Sequence, residues 1–299
     1  MEAYIMIKGL DVGYSHTKDN EGKIFRSAYT KESVAIGKKL MIDGINYQVG
    51  SGNMNSDVDK TDNEINKVCT IYNLLISDAN DLILSVGLPI GQYKSQKDKL
   101  KHSILEYNKC EVVYDNKKFQ VDIKEVLVNP QGISALYSMP NLKMDGECII
   151  VDVGGLTIDT CLVEFSSMGS KIIKCDTWYY GMRTLYSDIV AETNNKFGTK
   201  LDNIYAETIL KNGYIKIKNN AYQIDYLKPI LQNYIDKIAE EIKLKYPHET
   251  CPIYLVGGGV ALLYSPFEKR FHDINRITNS QFANAIGYHN IAYYKYRGC

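Results

Sequence analysis

The chain has 299 residues, 45% of them hydrophobic and 23% charged, with 22 glycines and 7 prolines, a globular mixture that excludes collagen-like, low-complexity and disulfide-dense classes. Thirty-five basic residues balance 35 acidic ones, which leaves no overall field to hold a phosphate backbone or an anionic membrane, so direct binding to nucleic acid or membrane is not expected. Seven cysteines without a C-x-x-C pair, no leader pattern and no apolar run near the roughly 20 residues of a spanning helix lead us to expect a cytoplasmic chain without structural zinc.

Strand-like and helix-like patterns alternate throughout, as in an α/β protein, and the length suggests two domains. Tyr4–Leu10 reads as an apolar strand, and Leu40–Val49 as a hairpin around Asp43-Gly44, a pair suited to positive φ. Thr61 to Asp78 reads as a helix, with Thr61 and Glu64 as a capping box and Ile65, Val68, Cys69, Tyr72, Leu75 and Ile76 on the inner face. Leu82–Leu88 is a buried strand stopped by Pro89. In Val126–Tyr137 a strand reaches Asn129-Pro130-Gln131-Gly132 and a helix follows. Lys228–Tyr246 is an amphipathic helix with Leu231, Tyr234, Ile235, Ile238 and Ile242 inward. Ser280–Tyr288 carries Ala283, Ala285 and Gly287, small enough for close helix packing.

Two segments echo each other almost half a chain apart: IKGLDVGYSHTK from Ile7 and IVDVGGLTIDTC from Ile150. Each is an apolar strand, Asp-Val-Gly, a short turn and a Thr-bearing return. In the first, Gly13 permits a tight turn whose N–H groups at Gly13, Tyr14 and Ser15 can converge on an anion. Lys18 opens the returning strand, where its ammonium can oppose the same anion. Asp11 repels phosphate and is useful there only through a cation such as Mg²⁺, held through water. In the second, Asp152 plays the same part, Gly154-Gly155 form the turn, Thr157 offers a hydroxyl, and Asp159 lies on the return with no role assigned. Two such hairpins on opposed halves would clamp phosphates from both sides, although each alone could be an ordinary hairpin. A third turn, Gly257-Gly258-Gly259, joins a β-branched strand to a helical segment and lets backbone approach a ligand closely. Gln131, a neutral side chain at a strand end, can position a water for phosphoryl transfer or simply begin a helix.

In this order the motifs resemble the actin, chaperone and sugar-kinase ATPase superfamily: phosphate-1 hairpin, Gln-bearing first connecting helix, phosphate-2 hairpin, Gly-Gly-Gly adenosine turn and small-residue second connecting helix. Within it the chain looks most like bacterial plasmid-segregation proteins of the ParM/StbA type, on DVGYSHTK, GLPIGQY, DVGGLTID and FANAIGY. The resemblance implies an α/β actin-like (ribonuclease H-like) fold with duplicated domains flanking a nucleotide cleft. Residues 1–145 with 281–299 would form domain I, with a small subdomain at about 31–80, and 146–280 domain II, with a small subdomain at about 194–225 and a hairpin at Asn219-Asn220. It implies ATP (or GTP) with Mg²⁺ as cofactors and Asp11, Gly13, Ser15 and Lys18 in the first phosphate motif. Asp152, Gly154, Gly155 and Thr157 would form the second, Gly257, Gly258 and Gly259 the adenosine motif, and Gln131 would position water as in actins, where many ParM-like proteins use Glu. The implied activity is nucleotide-driven, reversible polymerisation that segregates plasmid DNA through a DNA-binding adaptor on a centromere-like site. A small-molecule kinase of the same superfamily and a nucleotide-binding scaffold without turnover are the other readings. The short length leaves no room for a chaperone-type C-terminal domain, and the cysteine spacing lacks the zinc motif of compact sugar kinases.

Overall fold

A computed structural model describes the chain except residues 1–5, 32–38, 55–58, 62, 141–144, 167–168 and 299. Tyr4, Ile5 and Cys299 therefore lie outside the described residues, as does part of the expected first subdomain. The architecture is the expected α/β one, with two five-stranded sheets at its centre.

The two sheets repeat one plan. In the first, Met6–Val12, His16–Asp19 and Ile24–Arg26 form an antiparallel meander, and Leu82–Leu88 and then Ile123–Pro130 add in parallel on the other side of Met6–Val12. In the second, Gly146–Val153, Ile158–Ser166 and Gly169–Trp178 form the meander, and Ile253–Val256 and Ile274–Arg276 add in parallel. The parallel strands read as apolar runs because both faces are covered. The repeated Asp-Val-Gly segments are the first strand of each plan.

Strand alternation sorts the side chains of the second sheet. Ile149, Val151 and Val153 enter one core with the helices Met182–Phe197 and Lys228–Lys245, whereas Cys148, Ile150, Cys161 and Val163 face a separate core shared with Ile90, Ile133, Leu136 and Ala283. A period of two puts Asp152 on that second face, toward the first half of the chain. A third core lies in the first half, under the helix Glu64–Ile76 and the helix Ile90–Leu105.

A six-stranded sheet built from residues 28–54 and 112–119 stands on the first half, and a two-stranded ribbon, Tyr214–Ile217 with Asn220–Gln223, on the second. The Asp43-Gly44 turn has φ of 50° and 79°, the positive pair that its residues favour. Three local expectations shift. The N-cap of Glu64–Ile76 is Asn63, whose Oδ1 accepts from Ile65 N at 3.0 Å, not Thr61. Thr61 is turned instead to Asp59, which accepts from its N–H and hydroxyl. That helix buries Asn66, Thr70, Ile71, Asn73 and Leu74 as well as Ile65, Val68 and Cys69, because it packs on both the main and the small sheet; Tyr72, Leu75 and Ile76 are only partly buried. In the ribbon, Ile217 pairs with Asn220, so the turn is Lys218-Asn219, with φ +54° at Lys218.

The C-terminal helix Ala283–Arg297 packs on Met6–Val12 and Leu82–Leu88 and beside the short helix Ile133–Leu136. Glycines permit its approach. A Cβ on Gly9 would fall 2.0 Å from the Ala285 carbonyl, and one on Gly287 1.8 Å from that of Ser134. The small-residue reading of Ser280–Tyr288 describes this contact.

Candidate functional site

The first hairpin brings Asp11 opposite Lys18, and Lys18 Nζ lies 3.2 Å from Asp11 Oδ2. Gly13 N–H donates to the His16 carbonyl at 3.1 Å and closes the turn. Of the three N–H groups expected to converge on an anion, that of Gly13 is therefore already committed. Tyr14 is buried, with the Lys60 ammonium 4.9 Å from its ring centre.

The second hairpin repeats this geometry. Asp152 stands opposite Asp159, at the register position where Asp11 meets Lys18, and Gly154 N–H donates to the Thr157 carbonyl at 3.0 Å. An acid thus replaces the first hairpin's lysine. The Thr157 hydroxyl, expected to face a phosphate, donates to Asp159 Oδ2 at 3.1 Å, and Thr177 donates to Asp159 Oδ1 at 2.6 Å. Burial pushes the Asp159 carboxyl above its ordinary range despite these donors. Asp152 is pushed up to about 6, chiefly by burial, with the charges of Asp159 and Asp11 adding to it and the Asn284 amide opposing.

The two turns touch across a cleft. A Cβ on Gly155 would lie 2.0 Å from Ser15 Oγ, so only glycine fits there. At Gly257, φ is +92° and a Cβ would meet Asp152 Oδ1 at 2.6 Å, while one on Gly259 would meet Val153. Gly258 differs, because a Cβ there meets nothing within 4 Å. The N–H groups of Gly257 and Gly259 donate to Ser280 and Val153 carbonyls, so these two glycines shape the turn and Gly258 presents its open face. Gln131 lies at the cleft floor, where its Nε2 donates to Asp11 Oδ1 at 2.9 Å.

One cavity is lined by Asp11, Gly13, Tyr14, Ser15, Lys18, Gln131, Asp152, Gly154, Gly155, Thr157, Asp159, Gly257, Gly258 and Gly259, which brings together every residue singled out from sequence. It also holds residues that sequence reasoning missed. Asn284 donates to Asp152 Oδ2 at 2.8 Å and accepts from Gly132 N–H at 2.9 Å, so it ties the Gln131-Gly132 peptide to the second hairpin. The signal was the FANAIGY segment, whose single polar residue interrupts small ones. Lys60, Met182, Tyr186 and Glu207 also line the cavity, with no local spacing to mark them. Among the described residues no helix is long and apolar enough to cross a membrane.

Residues 9–133 match a family described as the N-terminal domain of actin-like proteins, and residues 150–269 match the C-terminal part of the archaeal actin homologue MreB-like family. No curated protein matches the chain. Among solved structures, an archaeal actin homologue, Ta0583, is similar at 23% identity and a TM-score of 0.84, covering 96% of this chain and 99% of its own. Its ADP complex gives 24% and 0.81 over the same shares. A subunit of a 15-stranded ParM filament from Clostridium botulinum gives 21% and 0.80, over 97% of this chain and 99% of its own. Each half of the chain thus matches an actin-like family model, and the chain shares the actin-like fold over nearly its full length.

Proposed function

We propose that the cleft binds and hydrolyses a nucleoside triphosphate with Mg²⁺, that binding drives assembly of the chain into filaments, and that hydrolysis releases them. The observation that carries this reading is the pair of acidic hairpins in matching register, Asp11 on one wall and Asp152 on the other, facing one cavity. The similar solved structures include a homologue complexed with ADP and filaments of ParM and Alp12. We extend the reading to segregation of plasmid DNA through a DNA-binding adaptor, in keeping with the balanced charge of the chain.

The domain division we propose follows the two sheets: 1–145 with 281–299 on one side and 146–280 on the other. Lys18, Ser15 and Tyr14 of the first turn and Gly154, Gly155 and Thr157 of the second would grip the phosphates, and the open face of Gly258 between Gly257 and Gly259 would take the nucleoside. Gln131, its amide fixed on Asp11, would orient the attacking water without needing to be a strong base. The carboxylates suit a cation, since both are buried and Asp152 is pushed up to about 6 chiefly by burial, with the charges of Asp159 and Asp11 adding to it. Among the described residues no three His, Cys, Asp or Glu side chains cluster to hold a metal alone, so Asp11 and Asp152 would share Mg²⁺ with water and phosphate oxygens. When bound, Mg²⁺ would neutralise charge on the phosphates.

Closure of the two walls on the triphosphate favours the assembling conformation in proportion to the nucleotide's preference for it. Mg-ATP should therefore raise light scattering cooperatively above a critical concentration, with filaments visible in negative stain. Bound nucleotide without scattering or filaments at tens of micromolar protein would reject the assembly reading, and Mg-GTP in parallel measures base preference.

A further inference from the structure

Lys60 is 3% exposed and lines the cavity. Its ammonium donates to the Val12 carbonyl at 3.0 Å and lies over the Tyr14 ring, so it is seated at the entrance to the first phosphate turn. Asp11, Asp159 and Asp152 all act on it through space, yet among the described residues no carboxylate lies within ion-pairing distance of it. An ammonium has three donors, and the Val12 carbonyl takes one. Burial holds the Lys60 amine below the usual lysine range, with the Asp11 charge pulling the other way. A buried cation short of acceptors, aimed into an anion-binding cavity, is expensive unless an anion completes it.

The backbone of Lys60 is held by contacts of its own. Asn66 Nδ2 donates to the Lys60 carbonyl at 2.8 Å, Asp59 accepts from Thr61 on the other side, and Asn63 caps the helix Glu64–Ile76 three residues on. That helix packs on Met6–Val12 and on the small-sheet strands Ala28–Thr30 and Ile45–Val49. Any ligand that draws the Lys60 ammonium off the Val12 carbonyl therefore pulls on the first turn of a helix joining the main sheet to the small one.

We propose that Lys60 binds the terminal phosphate of the nucleotide, from outside both hairpins, and transmits its presence to the helix Glu64–Ile76. This rests on the nucleotide reading of the cleft. A diphosphate leaves Lys60 on Val12, whereas a triphosphate recruits it, so the residue separates the two nucleotide states.

The test is calorimetric titration of the full chain and Lys60→Met with Mg-ADP and with the Mg complex of β,γ-imido-ATP. The wild type is expected to prefer the triphosphate, and Lys60→Met to lose tenfold or more in imido-ATP affinity while ADP affinity stays within twofold. Amide exchange over residues 64–76 should slow with imido-ATP in the wild type and not in the variant. A second measurement needs only the wild type. An acyl-phosphate derivative of ATP, which acylates lysines close to its terminal phosphate as the nucleotide departs, should modify Lys60 in competition with ATP. Unchanged triphosphate affinity in Lys60→Met, equal loss of both nucleotides, or acylation of Lys18 with Lys60 untouched would each overturn the assignment. A wild-type chain that binds neither nucleotide would overturn the nucleotide reading itself, and this one with it.

Discussion

Lys8 and Asp19 are both fully buried, with Lys8 Nζ 2.9 Å from Asp19 Oδ2. Asn73 and Ser77 also donate to that oxygen, the Glu21 and Lys23 N–H groups donate to the other, and Lys8 reaches Glu21 at 3.1 Å. Such a pair adds little over an apolar replacement, but breaking it strands a charge. Asp19→Asn should cost about 3 kcal/mol at neutral pH by denaturant titration, and Asp19→Leu with Lys8→Met together less than that single change. Burial pushes the Asp19 carboxyl up, but Lys8 and the N–H donors outweigh it and the net direction is down. The stability it contributes is therefore present above its unfolded value and lost as pH falls through the folded one. The acid limb of the wild-type stability curve should be steeper than that of Asp19→Asn. At Asn284 the matching test is Asn284→Ala, which leaves Gly132 N–H and Asp152 without their buried partner. A loss of roughly 1–3 kcal/mol is expected, together with weaker nucleotide binding; an unchanged denaturation midpoint would show that the bridge is incidental.

Glycines separate packing from ligand contact at the level of whole elements. Gly9→Ala forces a methyl into the backbone of the C-terminal helix, whereas Gly258→Ala points one into open cleft. The first should destabilise by about 1–3 kcal/mol or more, and the second should leave the melting temperature nearly unchanged while reducing nucleotide affinity. Equal melting temperatures would show that the helix can slide to make room. Elements with a local signal were legible in the sequence: Leu82–Leu88 between Asp81 and Pro89, the helix beginning at Lys228, the Asp43-Gly44 turn and the two Asp-Val-Gly hairpins. Both hairpins could be assigned to one site because they repeat each other. Lys60 and Asn284 could not, since each enters the cleft from an element whose own pattern serves another purpose, a helix entrance and a packing helix. Lys8 likewise reads as one more member of a strand; its partner Asp19 comes from the returning strand, and that acid is itself held by Asn73 on a helix more than fifty residues on. The helix Glu64–Ile76 defeated a one-face reading because two sheets cover it.

The first described strand and the last helix meet within the first half. The strand Met6–Val12 is central in its sheet, and one of its faces is covered by the last helix, Ala283–Arg297, which also lies on Leu82–Leu88. Ser85 donates to the Tyr288 carbonyl at 2.8 Å, and Asn290 to that of Tyr137. Without this helix the first sheet would expose apolar surface to water, and Gly9, Gly87 and Gly287 would have no reason to be small. The main cores of the two halves are each local in sequence, over residues 10–128 and 149–271, so the last helix adds a cover to the first sheet rather than a part of its main core. Covering of the first sheet by this helix must wait for the end of the chain, whereas the second half lacks that dependence for its main core. It follows that truncation after residue 282 should leave the first half open to limited proteolysis while a fragment spanning about 146–280 persists. The nucleotide cleft should be lost with the first half, because Asn284 and the support of Gln131-Gly132 leave together. Equal protease resistance of both halves in the truncated chain would mean that the first sheet closes on its own and that the last helix serves the cleft alone.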